Sequence, residues 1–273
     1  MTGAVMSERI LSITRVHLPE VDSTNRYAVL HQHELPDGAL IVADLQTAGR
    51  GRRGREWISP AGCNIYATLL IKDPEPRLFL AGALLGLAAE AALREILPDA
   101  PFFLKWPNDI YCRERKIAGI LCEGCGFSQG KLTGIAAGIG INVNLSEEKL
   151  AEIDLPATSL RALAGHEFTL ENVLKILEKN LLKYYIIYSK YPDELFARWK
   201  AANRLLGQNL ELIRETGEVV QGRFADIADD GNLILERAGE MLSFCSGDVR
   251  VRRGSIDWKQ LECNQINKEV NNG

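Results

Sequence analysis

FFLKWPNDIYCRERKIAGILCEGCGFSQGKLTGIAAGIGINV, residues 102–143, is the stretch that decides the fold. Phe102 to Lys105, Asp109 to Cys112, Ile117 to Glu123 and Lys131 to Val143 read as successive strands with short turns between them. That pattern predicts a meander rather than βαβ repeats. Working upstream, Ala39 to Asp44 and Asn64 to Ile71 are β-branched and aliphatic runs bounded by Gly and Pro, two further strands. Thr24 to Gln32 predicts a short helix, capped by Asp22 or Ser23 and ended before Pro36. Arg77 to Leu97 predicts a long Ala/Leu helix, apolar nearly all round, with Gly82 and Gly86 one turn apart to allow close packing beneath a sheet. The sum is an α+β domain, a mixed, mainly antiparallel sheet packed with helices.

Downstream, Thr169 caps a helix running to about Tyr188, and Pro192 starts another that runs to about Asn203. Beyond Gly207 the character changes. Asn209 to Arg214, Val219 to Ala228, Asn232 to Glu236, Met241 to Ser243 and Asp248 to Val251 are short strands with Thr216-Gly217 and Asp230-Gly231 as turns, the pattern of a small β barrel. The expected organisation is a large domain over 1–206, a small barrel over 207–254 and a frayed tail over 255–273.

Charge narrows the function. The 273 residues hold 32 Lys+Arg against 36 Asp+Glu, a net charge of −4, which argues against a dedicated nucleic-acid binder. With 46% apolar residues, 24 Gly and 10 Pro the chain can bury a sizeable core, and whole-chain disorder, collagen and coiled coil are excluded. The longest apolar run, Leu78 to Ala89, falls well short of the roughly 18 to 20 residues that span a bilayer. The opening MTGAVMSERI is too short in apolar length for a signal peptide and carries Glu8, so a soluble, cytoplasmic protein is expected. Six scattered cysteines fit reduced thiols better than a disulfide framework. Cys122-Glu-Gly-Cys125 is a lone CxxC with no second pair, and is expected to supply small buried side chains rather than a metal or redox site.

Against this acidic background, Gly49-Arg50-Gly51-Arg52-Arg53-Gly54-Arg55 places four arginines within six residues. It formally matches GxGxxG, yet Trp57-Ile58-Ser59-Pro60 and a strand follow instead of the helix that would hold a pyrophosphate, so the dinucleotide reading fails on context. Alternating glycines and planar guanidinium forks predict a lid that clamps an anion. A solvated loop or a nucleic-acid contact is the alternative. Lys105-Trp106-Pro107-Asn108-Asp109 ends one predicted strand and Lys116 enters the next, so a hairpin brings Lys105, Asp109 and Lys116 together. Asn108 is suited to hydrogen-bond a ligand, and Asp109 to hold a lysine or Mg²⁺. Gly138-Ile-Gly140-Ile-Asn142 sets small and polar residues in an apolar strand, as where a ligand approaches backbone.

The ordered set Asp22-Ser23-Thr24-Asn25, Gln46-Thr47-Ala48 leading into GRGRRGR, Trp57 with Ser59-Pro60, KWPND at 105–109, Lys116 with Ala118-Gly119-Ile120, and GIGIN at 138–142 resembles the biotin protein ligases. The resemblance extends from about Val21 to Arg252 and includes Ala157-Thr-Ser-Leu160 and the strands around Gly222 and Gly231. It implies a class II synthetase-like biotin/lipoate ligase fold followed by an SH3-like barrel. Only about twenty residues precede Val21, so the monofunctional type, without an N-terminal DNA-binding domain, is expected.

The resemblance further implies an ATP-dependent ligase that makes biotinyl-5′-AMP and passes the biotinyl group to a lysine of a carrier protein, over residues 1–206. By similarity, Lys116, Arg52 and Arg50 are the catalytic residues. Biotin would be bound by Ser23, Thr24, Asn25, Gln46, Gly49, Arg50, Gly51, Arg52, Lys116, Gly119 and Gly138. Arg53, Arg55, Trp57, Lys105, Asn108, Asp109 and Asn142 would face ATP, with Mg²⁺ as its counter-ion and no dedicated protein metal site. A biotin carboxyl carrier protein is the expected partner, homodimers are frequent in such a family, and neither DNA nor membrane is expected. A lipoate ligase, and in another class a nucleic-acid-binding module using the arginine loop, are the competing readings.

Overall fold

The structure is a computed structural model that describes residues 11–250. The expected tail over 255–273 and the last positions of the expected barrel lie outside the described residues. In chain order the larger part comprises β1 (Thr14–Leu18), α1 (Thr24–Leu30), β2 (Ala39–Ala43), β3 (Ile65–Lys72), α2 (Phe79–Ile96), β4 (Phe102–Lys105), β5 (Asp109–Cys112), β6 (Arg115–Ser128), β7 (Lys131–Ile141), α3 (Glu147–Ala151), α4 (Leu160–Ala164), α5 (Leu170–Lys190) and α6 (Pro192–Ala202). Seven strands form one sheet in the order β1-β2-β3-β7-β6-β5-β4. The run β4 to β7 pairs consecutively and antiparallel, the expected meander.

β1 is the strand the sequence reading lacks. It pairs parallel with β2 and makes the sheet mixed. Its sequence TRVHL interleaves charged and apolar residues and is mostly exposed, a short edge strand with too little apolar signal to stand out. Helix α1 ends at Leu30 rather than at Gln32, because the Gln32 side chain turns to donate to the Cys125 carbonyl of β6. Helix α2 begins at Phe79, two residues later than expected, with Arg77 ion-paired to Glu75 and Asp193 instead of entering the helix.

Strand alternation sorts the side chains onto two faces. Leu40, Val42, Leu69 and Ile71 join the main core with α2, α5 and α6, while Ile41 and Leu70 join Ala28 of α1 and Cys125 on the opposite face. A β-carbon at Gly86 would lie 3.3 Å from Leu104, so α2 packs hard against β4 there. Cys122 and Cys125 fall on opposite faces of β6, the former near Gly82 and exposed, the latter buried. Of the two small buried side chains expected, Cys125 alone is buried. All five described cysteines are free.

β8 (Asn209–Ile213), β9 (Val219–Ile227), β10 (Leu233–Arg237), β11 (Glu240–Phe244) and β12 (Asp248–Arg250) form an antiparallel sheet in the order β11-β10-β9-β8-β12, the SH3-like C-terminal part. It is docked on the larger sheet. Trp106 Nε1 donates to Gly231 O at 2.9 Å, and the Phe79 ring lies so close to Gly231 that a β-carbon there would meet it at 2.6 Å. Among the described residues no helix is long and apolar enough to cross a membrane.

Candidate active site

On the α1 face of the sheet lies a cavity of about 580 Å³, floored by β6 and β7 and walled by α1, the arginine loop and residues 152–157. Its head end is polar. Ser23 caps α1, which presents Thr24 and Asn25, both buried, at the N-terminus of the helix. Gln46 Oε1 accepts from the Thr24 backbone N–H at 2.9 Å and lies 3.1 Å from Thr24 Oγ1, while Gln46 Nε2 donates to Ser59 Oγ at 3.0 Å. Each buried polar atom needs such a partner, and the network fixes which way the Gln46 amide points.

Asn25 lines the cavity, yet its amide is engaged within the protein: Nδ2 donates to Leu121 O and Glu123 Oε2, both at 2.9 Å, and Thr68 Oγ1 lies 2.6 Å from Oδ1. Only glycine permits this at position 138, since a β-carbon there would sit 2.0 Å from Asn25 Oδ1. The same holds at Gly140, where a β-carbon would lie 2.3 Å from Trp57 Nε1. The indole thus lies close against bare backbone of β7, and its N–H is buried with no partner among the described residues.

The other end is charged. Gly49 O accepts from Trp57 N at 3.0 Å and Gly51 N donates to Arg55 O at 2.7 Å, so the arginine loop is a tight hairpin. At its tip a single 3-10 turn holds Arg53 at φ 60° and ψ 35°, a left-handed conformation costing a non-glycine residue roughly 1 to 2 kcal/mol. Arg50 Nη2 pairs with Glu123 at 3.1 Å, and Arg52 Nη1 donates to Asn108 Oδ1 at 3.1 Å. Lys116 Nζ lies 2.6 Å from Asp109 Oδ1 and 5.3 Å above the Trp57 ring. The Lys116 backbone is fixed by Pro156 O and by Thr158 N, in a bridge with Ala157. Each cation therefore rests on a protein acceptor that an anionic ligand can replace.

Of the residues expected at the site, Ser23, Thr24, Asn25, Gln46, Arg50, Gly51, Arg52, Arg55, Trp57, Asn108, Asp109, Lys116, Gly119, Gly138 and Asn142 line this one cavity. Three do not. Gly49 is buried behind the loop against Trp57 O and Ser59, Arg53 points to Glu215 at 3.5 Å, and Lys105 sits over the Tyr111 ring at 4.1 Å with its amine 3.0 Å from the hydroxyl. The hairpin brings Lys105 opposite Asp109 in register, but the aromatic face of Tyr111 takes the ammonium away from the cavity. Thr68, Glu123 and residues 152–155 carried no functional expectation from the sequence; Ala157 entered only through the resemblance at Ala157-Thr-Ser-Leu160.

Comparison with known proteins agrees with the geometry. Residues 18–142 match the Biotin/lipoate A/B protein ligase family and residues 205–252 the Biotin protein ligase C terminal domain. The sheet, the cavity and the appended small domain thus define the biotin and lipoate ligase class. The biotin–[acetyl-CoA-carboxylase] ligase of Paracoccus denitrificans is 34% identical over 227 residues, covering 80% of this chain and 92% of that one. The bifunctional ligase/repressor BirA of Escherichia coli K12 is 32% identical over 250 residues, 86% of this chain and 73% of the relative. The structure of the biotin protein ligase from Aquifex aeolicus in complex with biotin and ATP superposes with a TM-score of 0.72 at 31% identity, covering 88% of this chain and 99% of that one. The chain belongs to the biotin protein ligases.

Proposed function

We propose that this enzyme joins biotin to ATP as biotinyl-5′-AMP, releasing pyrophosphate, and transfers the biotinyl group to a lysine of a biotin carboxyl carrier protein in the cytoplasm. The observation that carries this reading is one cavity with a neutral hydrogen-bonding head, Thr24 and Gln46, and a cationic mouth, Arg50, Arg52 and Lys116. A uniformly apolar or uniformly basic pocket would not suit an acid with a polar ring. The lipoate alternative is not favoured, because the Paracoccus denitrificans relative and the Aquifex aeolicus structure above carry biotin in their names.

Attack of a carboxylate on the α-phosphate brings two anions together, so the residues act chiefly by positioning and charge neutralisation. Lys116 is the central cation. Held by its backbone bridge and poised between Asp109 and the Trp57 face, its ammonium moves from Asp109 to the oxygens between carboxylate and α-phosphate. Arg52 and Arg50 exchange Asn108 and Glu123 for substrate oxygens, and Arg55, Trp57, Asn108 and Asn142 lie toward the nucleotide. Gly119, beside Lys116 and Trp57, keeps the slot narrow. Among the described residues no group of three or more His, Cys, Asp or Glu stands together as a metal cage; in this reading Mg²⁺ arrives on the triphosphate, where a hard cation is bound by phosphate oxygens. The test is incubation with ATP, Mg²⁺, labelled biotin and a carrier domain. Label on the carrier lysine is expected; failure to form any acyl adenylate, or equal use of lipoate, would refute the assignment.

A further inference from the structure

The head of the cavity stands on a chain of hydrogen bonds whose direction is dictated from beneath. The Leu121 carbonyl and the Glu123 carboxylate, itself paired with Arg50, only accept, so Asn25 Nδ2 supplies both hydrogens and Asn25 Oδ1 is an acceptor. Thr68, fully buried on β3, lies 2.6 Å from that oxygen and 2.8 Å from Thr24 Oγ1. A hydroxyl carries one proton, and that of Thr68 goes to Asn25. With that proton spent, Thr68 Oγ1 can meet the Thr24 hydroxyl only as an acceptor. The other neighbour of the Thr24 hydroxyl, Gln46 Oε1 at 3.1 Å, is also an acceptor, being fixed by the Thr24 backbone N–H and by the donation of Gln46 Nε2 to Ser59. Whichever oxygen takes it, the Thr24 proton is directed into the protein. Only a lone pair is left for the cavity.

We infer that Thr68 is a positioning and specificity-determining residue: with Asn25 and Glu123 it compels Thr24 to meet the ligand as a hydrogen-bond acceptor, so the head group must bring a donor. The inference rests on the ligase reading above and deepens it. A cyclic ureide carries ring N–H groups; a dithiolane carries none. Thr68 is sealed from the cavity, so its effect passes through Thr24 and Asn25.

The test uses biotin-dependent exchange of pyrophosphate into ATP by the full chain, the Thr68→Val variant and the Thr68→Ser variant. Two biotin analogues serve as probes, each with ring oxygen in place of one ureido N–H. Thr68→Val is expected to raise the KM for biotin about tenfold while KM for ATP and kcat stay within about twofold, and Thr68→Ser restores it. The unmutated enzyme is expected to disfavour one analogue by about 100-fold or more in kcat/KM, since an acceptor then faces an acceptor, and this ratio shrinks in Thr68→Val. An unchanged biotin KM in Thr68→Val, parallel rises for biotin and ATP, or no rescue by serine would overturn the inference. So would equal use of biotin and both analogues by the unmutated enzyme, a measurement that stands even if the valine variant fails to fold. Absence of any biotin-dependent exchange in the unmutated chain would instead remove the ligase reading, and this inference with it.

Discussion

At the scale of single residues, the proposed chemistry concentrates on Lys116. Its backbone is clamped by residues 156–158 on one side, and its ammonium is shared between Asp109 and an aromatic face, so it is held in place without being locked. Lys116→Ala is expected to reduce adenylate formation by about 100-fold or more while the circular dichroism spectrum and melting temperature stay close to those of the unmutated protein. Pyrophosphate release at an unchanged rate would remove Lys116 from the reaction. At this scale the sequence was legible in residue type and less so in direction. Of the arginines and lysines that suggested an anion site, Arg50, Arg52, Arg55 and Lys116 line one cavity, whereas Arg53 pairs with Glu215 and Lys105 sits over the Tyr111 ring. Thr68 and Glu123 had no local mark at all; their partners lie on α1 and the arginine loop, and only the folded sheet brings them together.

Among elements, the arginine hairpin and the edge strand behave differently. The hairpin is closed at its base by backbone bonds between Gly49 and Trp57 and between Gly51 and Arg55, whereas its tip holds Arg53 in a left-handed turn. Binding of biotinyl adenylate is expected to protect the bonds after Arg50, Arg52, Arg53 and Arg55 from trypsin; equal cleavage with and without the adenylate would count against a closing lid. β1 is tied to α5 by Arg15, which pairs with Glu178 at 2.6 Å and Glu171 at 2.8 Å. The hydrogen bond from Arg15 holds the Glu171 carboxyl below its ordinary value. A carboxylate whose folded pKa is depressed stabilises above its unfolded pKa, and that contribution is lost as pH falls through the folded value. Arg15→Ala is therefore expected to lower the melting temperature slightly at pH 7, with the difference fading below about pH 4. A gap that persists undiminished in acid would show that packing, not charge, ties the strand down. The meander from β4 to β7 was readable from alternation and turns, while β1 was not, since a half-charged edge strand gains its identity only from β2 beside it.

For the whole molecule, the small C-terminal sheet is a fixed part of the structure. Trp106, from the same KWPND segment that supplies Asn108 and Asp109 to the cavity, donates to Gly231, and Phe79 at the start of α2 lies against the same glycine. Arg53 reaches Glu215 on the turn between β8 and β9. One cooperative melting transition is expected for the intact chain. Trp106→Phe should lower its midpoint by the equivalent of about 1 kcal/mol and raise the KM for ATP more than that for biotin. Two separated calorimetric peaks in the unmutated protein would argue that the parts unfold independently. The two-part organisation was legible from the change to short strands after Gly207, but the joint between the parts was not. Nothing in KWPND says that its tryptophan spends its one donor on a glycine more than a hundred residues away.

That joint ties the outlying module to the wall of the cavity. The indole of Trp106 bridges the two: its N–H is seated in the outlying module, and the amide and acid two and three residues on border the cavity. If the proposed carrier shifted the outlying module, Asn108 and Asp109 would be carried with it through that one hydrogen bond.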